Sequence, residues 1–213
     1  MSNPIEHWRK WIPILEKEYA VEIERAPQPC SEHANDHILR VLRRCIIIGK
    51  KLNADLEILV AAAYLHDLGM HYAPARVHGR LSAEKADPVL ERIGFPGEKR
   101  DATLLAIRTH DVSASSEDRK TIEAKILFDA DKVDAFGVIG ILRYTRVVYG
   151  KLPIDFIIED IESRWEGLSF PETREASLED YQYSKDYFVQ LKKELDVGTY
   201  GQELVSVRTT NNE

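Results

Sequence analysis

Histidine and aspartate occur together at the end of an apolar helical stretch, where neither residue type is useful for packing. In the run AAAYLHDLGM, an almost wholly apolar segment ends in His66 and Asp67. Two buried polar groups must be satisfied by partners, because an unpaired polar group inside a protein costs free energy. We interpret the pair as facing a metal ion whose other ligands come from distant parts of the chain.

Further histidines and aspartates follow in comparable positions. His33 and His37 are one helical turn apart and share a face. Near residue 130, Asp131 and Asp134 also share a face, whereas Asp129 is turned about 200° from Asp131. The residues that we expect to meet at one site are His37, His66, Asp67, His78, His110 and Asp131. Four imidazoles and two carboxylates suit one or two divalent ions, of Fe, Mn, Co, Ni or Zn, with Mg²⁺ as a further candidate.

The elements that must position these residues are helices. Apolar residues recur at spacings of three and four in two early segments, one with Ile5, Trp8, Ile12, Leu15 and Tyr19, the other with Ile38, Val41, Leu42, Cys45 and Ile48. Ser31 and Asp55 are expected to cap helices at their N-termini, and Gly69 and Gly94 to end them. A long helical stretch after residue 120 is expected to bend near Gly137, and PETREAS to link the last two helices.

Convincing alternation of apolar and polar residues is absent, so we predict an all-α fold of about eight helices. We expect a single domain over residues 1–213, with a core at about 30–150, C-terminal helices at 155–196 and a frayed tail at 199–213.

Composition limits the classes of partner. The 213 residues are 44% hydrophobic and 31% charged, with a net charge of −7, which argues against a general nucleic-acid binder. A bound metal would still attract a phosphate-bearing substrate. With neither a leader nor a membrane span recognisable, we predict a cytoplasmic protein in which Cys30 and Cys45 are reduced structural thiols. The helix with Trp8 and Trp11 either packs inside or pairs with a second subunit in a homodimer.

In combination, these motifs resemble the HD superfamily of metal-dependent phosphohydrolases. The similarity rests on HANDHILRVLRRC, AAAYLHDLG, HGRLSAEKA, AIRTH and DADKVDAFGVIGI, and is closest to a group of uncharacterised bacterial and archaeal HD proteins. The resemblance implies metal ligation by His37, His66, Asp67 and Asp131 and leaves the role of His33 open. It also implies that His78 and His110 match the extra histidines of binuclear members.

The resemblance implies hydrolysis of a phosphomonoester or phosphoanhydride, with a nucleotide as the expected substrate. Catalytic candidates are Asp67, Lys132 and Asp134. Asp134 is expected either to lie behind a metal-ligating residue or to orient a water molecule. Arg40, Arg76 and Arg80 are candidate phosphate contacts, and Asp129 is expected to be structural, bonding a helix terminus. Two alternatives use the same residues: a di-iron oxygenase, and a non-catalytic metal-binding ligand sensor.

Overall fold

The computed structural model describes residues 4–27, 35–73, 78–147 and 150–195, and it confirms the all-α prediction. Nine α-helices lie in these ranges: α1 Trp11–Arg25, α2 Asn35–Lys51, α3 Leu56–Leu65, α4 Gly79–Arg92, α5 Gly97–Arg108, α6 Ile122–Lys132, α7 Gly137–Val147, α8 Ile154–Glu166 and α9 Pro171–Leu195. Short 3₁₀ segments occupy Pro4–Lys10, Leu68–His71 and Val133–Ala135.

The α3 helix is the centre of the first half of the chain. Asp55 caps it as predicted, since its carboxylate accepts hydrogen bonds from the backbone N–H groups of Glu57 and Ile58. Every residue from 57 to 65 is buried, and the helix packs against α1, α2, α5 and α6. Burial of a large aliphatic side chain contributes about 1.5–3 kcal/mol, so α3 is held firmly. Its C-terminal end is therefore a rigid platform for the next two residues, His66 and Asp67.

The predicted role of Gly69 as a helix stop is wrong. The α3 helix ends at Leu65, and Gly69 lies inside a 3₁₀ turn with a φ that is not positive. Glycine is required there by close packing: a Cβ would lie 2.7 Å from the backbone N of Ser82 and 2.9 Å from the carbonyl O of His78. Gly69 therefore brings the turn after α3 directly against the start of α4.

Other predicted boundaries agree with the structure in part. Gly94 and Gly137 have φ of 65° and 69°, so each ends or breaks a helix as predicted. PETREAS is not a linker, because Pro171 is the first residue of α9. Proline suits that position, where its missing N–H would have no partner within the helix.

The buried faces of the first two helices follow the apolar pattern. Leu15 and Tyr19 of α1, and Ile38, Val41, Leu42 and Cys45 of α2, are buried as expected. Cys45 is a free thiol whose pKa is raised by burial, in agreement with a structural role. Ser31 and Cys30 lie outside the described residues.

The chain divides into two compact units. The first comprises residues 1–134 and 167–176, and the second comprises residues 135–166 and 177–213. The second unit contains an aromatic cluster in which the Trp165 and Tyr181 rings stack at 4.3 Å and Phe136 meets both edge-on. The single-domain organisation stays a prediction, and the tail at 199–213 lies outside the described part of the chain. Among the described helices, none has the length and hydropathy needed to cross a bilayer.

Candidate metal centre

Six of the predicted ligands converge in the first unit from the ends of five helices. They are His37 in the first turn of α2, His66 and Asp67 after α3, His78 before α4, His110 after α5 and Asp131 near the end of α6. Five of the six are buried, and His78 is partly buried. A cluster of this kind must be held by strong mutual interactions or by a cation, because buried ionisable groups are otherwise costly.

One half of the cluster is formed by His37, His66 and Asp131 around one oxygen of Asp67. The Nε2 atoms of His37 and His66 are 3.2 Å apart, and each lies 3.3 Å from Oδ2 of Asp67. Oδ1 of Asp131 lies 3.3 Å from Nε2 of His37 and 3.9 Å from Nε2 of His66. Two imidazole nitrogens and two carboxylate oxygens thus surround one position.

The other half is formed by His78 and His110 around the second oxygen of Asp67. Nε2 of His78 lies 2.8 Å from Oδ1 of Asp67, and Nε2 of His110 lies 3.4 Å from the same oxygen. The two imidazole nitrogens are 3.0 Å apart. Asp67 therefore directs one oxygen to each half, which is the arrangement by which one carboxylate bridges two cations. The ligand atoms of His37, His66 and Asp67 lie close enough together to hold a metal ion, and so do those of Asp67, His78 and His110.

The outer nitrogens of three imidazoles are held by fixed partners. Nδ1 of His66 is 2.9 Å from the carbonyl O of Ala63, and Nδ1 of His110 is 2.6 Å from that of Ile107. Since a carbonyl oxygen only accepts, these Nδ1 atoms carry the proton. Nδ1 of His37 likewise lies 2.8 Å from the carboxylate of Asp134. The three Nε2 atoms then present lone pairs to the centre of the cluster.

Protonation of His110 would not relieve the crowding around its Nε2 atom at neutral pH. Burial lowers the pKa of His110 to about 4, so its imidazole is neutral and Nε2 has no proton to donate. Electron-pair donors that face one another at about 3 Å repel unless a cation lies between them. The donor set of imidazole and carboxylate is that of divalent transition metals, so the residues present fit such an ion.

Asp131 and its neighbour Lys132 form a buried ion pair beside the first half. Burial alone would raise the pKa of Asp131, but the ammonium group of Lys132 holds it well below its ordinary value. Nζ of Lys132 is 2.5 Å from Oδ2 of Asp131 and lies over the Phe128 ring. Oδ1 of Asp131 faces the imidazoles while Oδ2 is held by the lysine, which fixes the direction of the carboxylate.

Asp134 lies behind His37 and is completely buried. Besides His37, it accepts hydrogen bonds from Nε and Nη2 of Arg40 at 2.7 and 2.8 Å, and from Nη1 of Arg44 at 2.7 Å. Of the two roles expected for Asp134, this geometry favours orientation of His37 over orientation of water. A carboxylate that fixes a ligand imidazole in this way is a common part of metal sites.

Asp129 points away from the cluster. It accepts hydrogen bonds from the backbone N–H groups of Ser169, at 2.7 Å, and Phe170, at 3.1 Å, just before α9 begins. Burial raises its pKa, although these N–H groups act in the opposite direction. This placement agrees with the expected structural role at a helix terminus.

The candidate phosphate contacts differ in their relation to the cluster. Arg40 reaches it through Asp134, whereas Arg80 is largely exposed and pairs with Glu84 at 3.0 Å. His33 and Arg76 lie outside the described residues.

Sequence reasoning did not identify Asp111 or Arg44. Asp111 is buried and accepts backbone N–H groups of His78 and Gly79 at 2.7 and 2.6 Å. Its position directly after the candidate ligand His110 could have indicated that Asp111 belongs to the site.

Comparison with known protein families identifies the segment that carries the site. Residues 35–135 match the model of the HD domain, a range that contains all six clustered residues. The candidate metal centre therefore lies within a segment that is similar to the HD domain.

The chain is similar to the uncharacterised protein YpgQ of Bacillus subtilis. The two are 34% identical over 116 residues, which cover 53% of this chain and 56% of YpgQ, so the match spans little more than half of that relative. A crystal structure of YpgQ in complex with ADP has a TM-score of 0.63 at 25% identity, covering 84% of this chain and 97% of that one. An HD-superfamily hydrolase of Bacillus thuringiensis has a TM-score of 0.65 at 20% identity, covering 88% and 97%, and so shows the shared fold.

Proposed function

We propose that this protein is a metal-dependent phosphohydrolase that cleaves a phosphomonoester or phosphoanhydride bond of a nucleotide. The observation that carries the proposal is the division of the Asp67 carboxylate between two groups of histidines. Bound there, divalent ions would supply activated water and polarise a phosphoryl oxygen, which is the chemistry that phosphate-ester hydrolysis needs.

The roles of the protein's own residues follow from their contacts. We assign His37, His66, His78, His110, Asp67 and Asp131 as ligands. Asp134 orients His37 through its Nδ1, and Lys132 orients Asp131 while it offsets negative charge beside the reacting phosphate. Because both positioning groups are buried, the ligands are held in one geometry before substrate arrives.

Substrate phosphate is assigned to arginine side chains. The Arg40 side chain is 32% exposed while its Nε and Nη2 are held by Asp134, so its orientation is fixed and part of it faces solvent. Arg80, which is exposed, and Arg76 are further candidate contacts from the segment around His78. A nucleotide is favoured as substrate because the related YpgQ binds ADP. Cytoplasmic location, the lack of a nucleic-acid partner and a homodimer stay predictions.

The test compares two carboxylates of α6 that the structure places in opposite directions. Wild-type protein, Asp131→Asn and Asp129→Asn are loaded with Mn²⁺ and given nucleoside mono-, di- and triphosphates under anaerobic conditions, and released phosphate and pyrophosphate are measured. We expect wild type to release phosphate or pyrophosphate from at least one nucleotide. Asp131→Asn should lose both Mn²⁺ affinity and turnover, whereas Asp129→Asn should keep turnover and lose thermal stability.

Two outcomes would contradict the proposal. Release of neither phosphate nor pyrophosphate from any of the nucleotides by Mn²⁺-loaded wild type would exclude the hydrolase. In a separate aerobic assay of Fe²⁺-loaded protein, oxygen consumption without release of phosphate or pyrophosphate would instead identify the oxygenase, since that reaction uses the same ligands in a different chemistry.

A further inference from the structure

Asp111 links the two histidines of the second half of the metal centre through the backbone. It directly follows His110 in the chain, and its Oδ2 accepts the backbone N–H groups of His78, at 2.7 Å, and Gly79, at 2.6 Å. The other oxygen, Oδ1, accepts the backbone N–H of Ser113 at 2.8 Å and its hydroxyl at 2.5 Å. Asp111 itself is 1% exposed, whereas its partner Ser113 is exposed.

This contact replaces the ordinary capping of α4. The residue in the N-cap position is His78, whose side chain makes no capping hydrogen bond. The first N–H groups of a helix have no partner within the helix and are usually bonded by the N-cap side chain. Here the carboxylate of Asp111, which follows α5, accepts the N–H groups at the start of α4. The imidazole of His78 can therefore face Asp67 and His110.

Two glycines permit this close approach. A Cβ on Gly79 would lie 2.6 Å from the carbonyl O of Arg108 and 3.1 Å from Oδ2 of Asp111. A Cβ on Gly69 would press on the same turn of α4, against the backbone of Ser82 and His78. The start of α4 is therefore held between the turn after α3 and the end of α5, with Asp111 as the polar anchor.

We infer that Asp111 is a positioning residue that builds the second metal position, by fixing His78 relative to His110 through backbone hydrogen bonds. The first position, with His37, His66 and Asp131, is reached from α2, α3 and α6 and does not involve these bonds. The inference rests on the metal-ligand part of the proposed function and not on the reaction that it catalyses.

The test is metal stoichiometry, which can be read without a substrate. Wild type, Asp111→Ala and Asp111→Asn are titrated with Mn²⁺, bound metal is counted, and electron paramagnetic resonance distinguishes coupled pairs from isolated ions. Asp55→Ala is the matched control, because it removes a helix-capping aspartate at α3 that lies away from the cluster. His78→Ala defines the signal of a protein that has lost a ligand of the second position.

We expect Asp111→Ala to keep one Mn²⁺ and to bind the second about 10–100-fold more weakly, with loss of the coupled signal, which is the usual effect of removing a partner behind a metal ligand. Asp111→Asn should recover part of the second site, because its amide oxygen can still accept the N–H groups of His78 and Gly79, while its NH₂ group then faces the backbone N–H of Ser113. Asp55→Ala should bind both ions as wild type does, with a lower melting temperature.

A second pair of variants tests the same contact without altering the carboxylate. Gly79→Ala should push the start of α4 away from Asp111 and weaken the second ion selectively. Gly97→Ala is its control, since it is the first residue of α5 and a Cβ there meets nothing within 4 Å. If circular dichroism shows that Asp111→Ala does not fold, Gly79→Ala and Gly97→Ala still test the inference.

The inference is overturned if Asp111→Ala and Gly79→Ala bind the second Mn²⁺ with wild-type affinity, or if they lose both ions equally. It is also overturned if wild type saturates at one ion. None of these results depends on hydrolysis, so they are distinguishable from failure of the proposed reaction.

Discussion

Replacing Asp134 by asparagine should weaken both the fold and the first metal position. Each oxygen of the carboxylate accepts hydrogen bonds from two donors: Nε of Arg40 and Nη1 of Arg44 at Oδ1, and Nδ1 of His37 and Nη2 of Arg40 at Oδ2. An asparagine has one oxygen and one NH₂ group, so in either orientation the NH₂ faces two donors. Asp134→Asn therefore exchanges two attractive contacts for two repulsive ones in a buried place.

The size of the effect can be worked from these contacts. Removing one partner of a buried ion pair costs about 3–5 kcal/mol. The side chains of Arg40 and Arg44 are 32% and 31% exposed and can regain water, so we expect the lower end, about 3 kcal/mol in the free energy of unfolding. Loss of the bond to His37 should also weaken metal binding about 10–100-fold, or about 1.4–2.7 kcal/mol.

Urea unfolding in EDTA gives the first quantity, and Mn²⁺ titration calorimetry gives the second. The control is Asp160→Asn, a buried carboxylate of the second unit that accepts from Tyr144 and Arg164. It should lower stability and leave Mn²⁺ affinity unchanged. If Asp134→Asn keeps an Mn²⁺ affinity within about twofold of wild type, Asp134 does not orient His37 for metal binding, since loss of an orienting carboxylate should weaken the affinity by more than that.

Three further predictions concern the second metal position, the packing beside it and the response to acid. His78→Ala and His110→Ala should each lower bound metal from two ions toward one, measured by elemental analysis, and unchanged stoichiometry would exclude both as ligands. Gly69→Ala should cost about 1–3 kcal/mol in urea unfolding, because the added methyl meets backbone atoms of Ser82 and His78; a neutral result would mean that the turn can move. Burial alone would raise the pKa of Glu57, but hydrogen bonds from neighbouring donors lower it to about 2. Between that value and the ordinary pKa of 4.5, the unfolded chain therefore binds more protons than the folded chain. Stability should therefore fall as the pH drops through this window, and Glu57→Gln should reduce the fall in melting temperature measured in EDTA.

The helices were predictable because their apolar periodicity is strong. Asp55 could be recognised as a cap because its role depends on residues two and three places further along the chain. The roles of Gly69 and Pro171 were not predictable in the same way. Glycine ends helices often, but Gly69 is required by the approach of α4, a contact over thirteen residues to Ser82.

The candidate ligands could be selected from the sequence because each has an ionisable side chain at a helix end. Asp111 was missed because its contacts are to backbone N–H groups of residues 78 and 79, and the sequence does not show which distant backbone groups lie nearby. Arg44 was missed for a related reason, since arginine on a helix is most often a solvated residue. Its pairing with Asp134 depends on the packing of α2 beside the end of α6.

In the proposed site, Asp67 would hold two metal ions, one at each carboxylate oxygen. The most direct measurement is anomalous X-ray scattering from crystals of the full chain grown with Mn²⁺. We predict two peaks about 3.5–4 Å apart, as in two-metal hydrolases. One should contact His37, His66 and Asp131, the other His78 and His110, and both should contact Asp67. A single peak, or a pair of peaks that Asp67 does not bridge, would contradict the account.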